Sequence, residues 1–99
     1  MTYDNFLFKK KDIANICDKY DVGFLGVFGS QARGTATKNS DVDLLVSFIK
    51  PKSFFDMIHM EKEFSKKFNK KIDLVTKQSI SPYLRERILQ EVKPLYERT

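Results

Sequence analysis

The sequence predicts an α/β (α+β) domain, a small mixed sheet with helices packed on it. Two observations carry this. A short apolar run rich in β-formers, VGFLGVF at 22–28, follows a segment of helical period. Two more such runs, DLLVSF at 43–48 and KIDLVT at 71–76, are separated by a long amphipathic stretch. Strands that alternate with helical segments call for a layered α/β architecture.

Each element has a local reason. Residues 9–20 predict a helix with Ile13, Ile16, Cys17 and Tyr20 on one face. Gly29 and Ser30 end the first strand, and 30–34 predict a helical turn stopped by Gly34. TATKNS is a loop. Lys50-Pro51 breaks the chain after the second strand, and Ser53 with Asp56 forms a capping box for a helix to about Phe68. Phe54, Met57, Ile58, Phe64 and Phe68 are expected on its apolar face, a stripe that only Glu61 interrupts. Ser81-Pro82 opens the last helix as cap and first helical residue, with Leu84, Ile88 and Leu89 as its apolar side. KPLYE at 93–97 predicts an edge strand, because Pro94 cannot donate to a central ladder.

The chain has 99 residues, enough for one domain, so 1–99 is read as a single unit. With 41% hydrophobic and 31% charged residues it is globular in composition rather than disordered. No apolar run approaches the ~20 residues of a membrane span. The start, MTYDNFLFKKKD, places its charges after its apolar residues, the reverse of a secretory leader, and a cytoplasmic location is the expectation. Cys17 is the single cysteine, which excludes an internal disulfide; on a helix face without a histidine beside it, it reads as buried and inert. The net charge of +5 suggests a polyanion partner, but Lys9–Lys11 and Lys66, Lys67, Lys70 and Lys71 read as solvated helix ends. Direct nucleic-acid binding is therefore not expected.

The chemistry lies in FGSQARGTATKNSDVDLLV, residues 28–46. Side chains alternate along a strand, so Asp41 and Asp43 share a face. Two carboxylates side by side repel, and a hard divalent cation, Mg²⁺ or Mn²⁺, resolves that repulsion. Asp73 stands between Ile72 and Leu74 in an apolar strand, where a lone charge is costly. If its strand neighbours that of Asp43, three acids meet, and three acids can hold two metals ~4 Å apart for phosphoryl or nucleotidyl transfer. On that reading Asp41 and Asp43 bind both metals, and Asp73 binds the one that activates the attacking hydroxyl and takes its proton. Gly29 permits close backbone approach to a phosphate, and Ser30 offers an amide and a hydroxyl. Singly these signals are weak. Gly-Ser alone means almost nothing, Asp-x-Asp is more often a solvated turn, and Asp73 alone could pair with Lys71 or an arginine.

Together, GSQARGTATKNSDVDLLV and the later KIDLV resemble the minimal nucleotidyltransferases of the DNA polymerase beta superfamily, as does the closing SPYLRERILQEVKPLYE. The resemblance implies Gly29 and Ser30 as the phosphate-binding pair, and Asp41, Asp43 and Asp73 as the metal-binding catalytic acids. Arg33 and Gly34 match the family's Ala-Arg-Gly element. Arg33 is a nucleotide-binding candidate, though pairing with Asp41 or a nearby carboxylate to fix the loop is an equal reading, and Gly34 reads as a helix stop. The resemblance further implies an antitoxin paired with a HEPN-domain toxin, and transfer of AMP from ATP to a tyrosine of that partner. A bare core of this size would hold triphosphate better than a base, so the partner or a second copy of the chain is expected to complete the pocket. His59, Arg85, Arg87 and Lys77 read as surface charges. Two other readings stand: an antitoxin that works by covering its partner without catalysis, and a small transferase acting on RNA ends or a small molecule.

Overall fold

A computed structural model of the chain describes residues 9–37 and 39–98. Most of the N-terminal stretch read above for a leader lies outside them, as does one residue of the TATKNS loop.

The order is α1 (Lys10–Lys19), β1 (Val22–Phe28), α2 (Ser30–Arg33), β2 (Val42–Phe48), α3 (Phe54–Phe68), β3 (Ile72–Thr76), a 3-10 turn (Lys77–Ser79), α4 (Pro82–Glu91) and β4 (Lys93–Glu97). The sheet order is β3-β2-β1-β4. β1 is antiparallel to both β2 and β4, while β2 and β3 are parallel. The sheet is mixed because α3 serves as the crossover that a parallel pair requires. β4 is an edge strand, as Pro94 demands.

The expected local devices are present. The Ser53 hydroxyl accepts the Asp56 amide, and the Asp56 carboxylate accepts the Ser53 amide. Gly34 ends α2 in the left-handed region, at φ 77°. The Ser81 hydroxyl caps α4 ahead of Pro82. The 3-10 turn was not anticipated from the sequence; Thr76 and Ser79 cap it reciprocally.

Alternation sorts the two faces of the sheet. Val42, Leu44 and Val46 of β2, with Ile72 and Leu74 of β3, enter the main core beside Ile13, Cys17, Met60 and Phe64. The odd-numbered positions between them, Asp43 and Asp73, must then face the other way. The rings of Phe64 and Phe68 stack at 5.8 Å. The Tyr20 hydroxyl donates to Glu63, which also pairs with Lys19 and so ties α1 to α3.

Two helix faces differ from expectation. On α3 the buried residues are Met60, Phe64 and Phe68, one every four positions, while Phe54 is 74% exposed. The helix reaches β3 through Glu61 and α1 through Glu63 and Lys67, all past its first turn, while Phe54 and Phe55 stay in solvent. On α4 no residue is buried, and Leu84 and Leu89 stay largely exposed. A cleft lies between that helix and the sheet, so its apolar side lines an opening instead of a core.

Candidate active site

The cleft has a volume of about 420 Å³, within the range of small-ligand sites. Asp43 and Asp73 stand in it with Phe28, Glu61, Leu84 and Ile88. Its acidic wall follows from strand register. Asp43 pairs with Asp73 across the parallel β2–β3 ladder, and with Phe28 across the antiparallel β1–β2 ladder. Antiparallel partners share a face, which puts the end of β1, and so the Gly29–Ser30 turn, beside the acids.

Asp43 carries the electrostatic load. Its carboxyl is raised above the ordinary range first by burial, then by the charges of Asp73 and Asp41 and a hydrogen bond shared with Asp73; Arg33 works in the opposite direction. The third acid stands apart. Asp41 precedes β2, whose first amide, that of Val42, donates to the Lys71 carbonyl at 2.9 Å. The Lys71 ammonium lies 3.9 Å from the Asp41 carboxylate. Lys71 thus meets Asp41, and not Asp73 as the alternative sequence reading had it. Among the described residues no three His, Cys, Asp or Glu side chains are grouped to hold a metal. The donors still suit a hard cation: Mg²⁺ is commonly held by one or two carboxylates together with substrate phosphate oxygens. Asp43 and Asp73 form such a pair, and their mutual repulsion is what a cation relieves.

Gly29 sits between carboxylates. Its φ is +74°, and a Cβ there would lie 2.3 Å from Asp43 Oδ2. The close approach that makes glycine necessary is thus to Asp43. On its other side, the Gly29 amide donates to Glu91 Oε1 at 2.7 Å. Arg33 Nη1 donates to both Glu91 oxygens, at 3.1 and 3.3 Å. The carboxylate that fixes Arg33 is therefore Glu91 and not Asp41. Ser30 opens α2 next to these groups.

Two residues of the site escaped assignment from sequence. Glu61 Oε2 accepts the Leu74 amide at 3.2 Å, gripping β3 one residue past Asp73. Its signal was visible as the break in the apolar stripe of α3. Glu91 carried no local signal. His59, Arg85, Arg87 and Lys77 are exposed. Cys17 is fully buried, and burial pushes its thiol up to about 12, as expected of an inert residue. Among the described residues no helix is long and apolar enough to cross a membrane.

Residues 11–99 match the family model described as polymerase beta, nucleotidyltransferase. The chain is 36% identical over 75 residues to the protein adenylyltransferase MntA of Thermococcus cleftensis, covering 76% of each chain. It is 30% identical to a solved structure described as a candidate minimal nucleotidyltransferase, with a TM-score of 0.75 over 86% of this chain and 87% of that one. At 16% identity and a TM-score of 0.67 it shares the fold of a chain in a complex of the tri-AMPylated HEPN toxin of Shewanella oneidensis with its MNT antitoxin, over 90% of this chain and 70% of that one. With the family model spanning nearly all of its length, the chain belongs to the polymerase beta nucleotidyltransferase family.

Proposed function

We propose that this chain transfers AMP from ATP to a tyrosine hydroxyl of a HEPN-domain toxin and acts as that toxin's antitoxin. The observation that carries this reading is the register pair Asp43–Asp73 beside the Gly29–Ser30 turn. The kinship with a protein adenylyltransferase and the AMPylated state of the toxin in the related complex support the choice of acceptor.

In the reaction the tyrosine oxygen attacks the α-phosphorus of ATP. The bond from that phosphorus to the bridging oxygen of the β-phosphate breaks, pyrophosphate leaves with its electron pair, and AMP remains esterified to the tyrosine. Asp73, on the edge strand β3, takes the hydroxyl proton. Ser30, through its amide and hydroxyl, holds the leaving phosphates at the turn that Gly29 makes possible, and Arg33 adds positive charge beside them. Asp41, Asp43 and Asp73 are the residues that would hold Mg²⁺ or Mn²⁺, which when bound supplies Lewis-acid stabilisation of the charge on the transferring phosphoryl group. Asp41 would exchange its Lys71 partner for that role. The acceptor protein or a second copy of this chain closes the cleft over the base.

The test is incubation of the purified chain with Mg²⁺, α-labelled ATP and the neighbouring gene product, followed by mass spectrometry. AMP added to the partner by the native chain but not by Asp43→Asn supports the proposal. Full silencing of the partner by Asp43→Asn, without label, replaces it with an antitoxin that acts by coverage. Label on RNA instead of protein replaces the acceptor.

A further inference from the structure

We propose that Glu91 is a positioning residue for the nucleotide site, holding the Gly29–Arg33 turn in the shape that accepts triphosphate. The inference rests on the nucleotide-binding reading of that turn. It starts from register. β4 runs antiparallel to β1, with Val27 opposite Lys93 and Gly26 opposite Pro94. Extending that ladder two residues beyond Val27 and two before Lys93 sets Gly29 against Glu91. The Gly29 amide donates to Glu91 Oε1 there at 2.7 Å, 62 residues away in sequence.

A carboxylate in this place needs a reason. Glu91 is the last residue of α4, where the helix dipole disfavours negative charge. Its side chain is only 19% exposed. The turn supplies compensation through the Gly29 amide and the Arg33 guanidinium. Both bonds to Arg33 use Nη1, so the contact leaves the other two guanidinium nitrogens to a ligand. The Ser30 hydroxyl is not among the contacts of Glu91. The carboxylate therefore braces the turn through Gly29 and Arg33 and leaves the Ser30 hydroxyl outside the contact. It is itself held firmly, because Val92 donates to Ile88 and Lys93 is already in the β4 ladder.

The experiment is equilibrium binding of AMP-PNP with Mg²⁺ to the full chain, as wild type, Glu91→Gln, Arg33→Ala and the double variant, with melting curves for each. Glu91→Gln is preferred to Glu91→Ala because the amide oxygen still accepts the Gly29 N–H and the fold is spared. The expected result is a loss of affinity of about threefold to tenfold in Glu91→Gln with little change in melting, as befits a partly exposed charge-assisted contact. In the Arg33→Ala background the same change costs little, since the two residues act as one unit. Unchanged affinity, equal losses in both backgrounds, or a lowered melting temperature with affinity intact would each overturn the proposal. Tighter binding would do so too, by making the carboxylate a competitor of phosphate. A wild-type chain that binds no AMP-PNP defeats the nucleotide reading before any variant is compared, and the positioning role with it.

Discussion

Asp43 and Asp73 are register partners on adjacent parallel strands, so two carboxylates share one face of the sheet with no residue between them. That arrangement destabilises the fold by itself, and this yields the first prediction. The Asp43 carboxyl is raised, so ionising it costs stability as pH climbs through and beyond 3.8. Asp43→Asn is therefore expected to melt higher than wild type at pH 7 without metal, while AMP transfer falls on the order of 10²–10³-fold. Mg²⁺ should raise the melting temperature of the wild type more than that of the variant. Calorimetry with and without Mg²⁺, beside the labelling assay, checks all three.

Two glycines with positive φ differ in ψ, −152° at Gly29 against 15° at Gly34, and in what a side chain would meet. Gly29 and Gly34 have φ of 74° and 77°, but a Cβ meets Asp43 at the first and nothing within 4 Å at the second. Gly34→Ala should cost about 1–2 kcal/mol, the ordinary left-handed penalty, and keep activity. Gly29→Ala should cost more and abolish activity, because the Asp43 carboxylate has to move and because φ +74° with ψ −152° is a region essentially confined to glycine. Equal melting shifts in the two variants would sink this account.

Stability in acid should depend on exposed pairs. Asp18 is lowered from 3.8 by its hydrogen bonds from Tyr96 and Arg98, and Asp21 is lowered by its bond from Lys52. A lowered acid contributes stability that is present above its unfolded value and lost as pH falls through the folded one. Melting temperature should thus drop below pH 3.8, and less steeply in Asp18→Asn. A melting series from pH 2 to pH 6 measures it.

The buried thiol should report unfolding. Cys17 is fully covered and its thiol is raised to about 12, so thiolate is scarce at pH 8. A thiol reagent should leave the native chain untouched and label it fully in denaturant. Rapid labelling of the native chain at pH 8 would contradict the packing of α1.

Much of the fold was legible because its signals are local. The Ser53–Asp56 box, the Gly34 stop, Ser81-Pro82 and the placement of Pro94 each depend on residues within a few positions of one another. Face assignment was less secure. Met60 replaces Phe54 in the core because the sheet covers only the later turns of α3, and nothing within that helix says where its support ends.

The candidate site divides along the same line. The sequence by itself determined which side chains are available: two acids at the head of β2, one inside β3, and a glycine-serine turn after β1. Alternation along a strand then set which of them share a face. Only the tertiary structure decided their partners. The parallel register brings Asp73 to Asp43. The start of β3 brings Lys71 to Asp41. The antiparallel register of the last strand sets Glu91 on Gly29 and Arg33. Those pairings cross 30 to 62 residues of chain, and they follow from strand order, which no local spacing encodes.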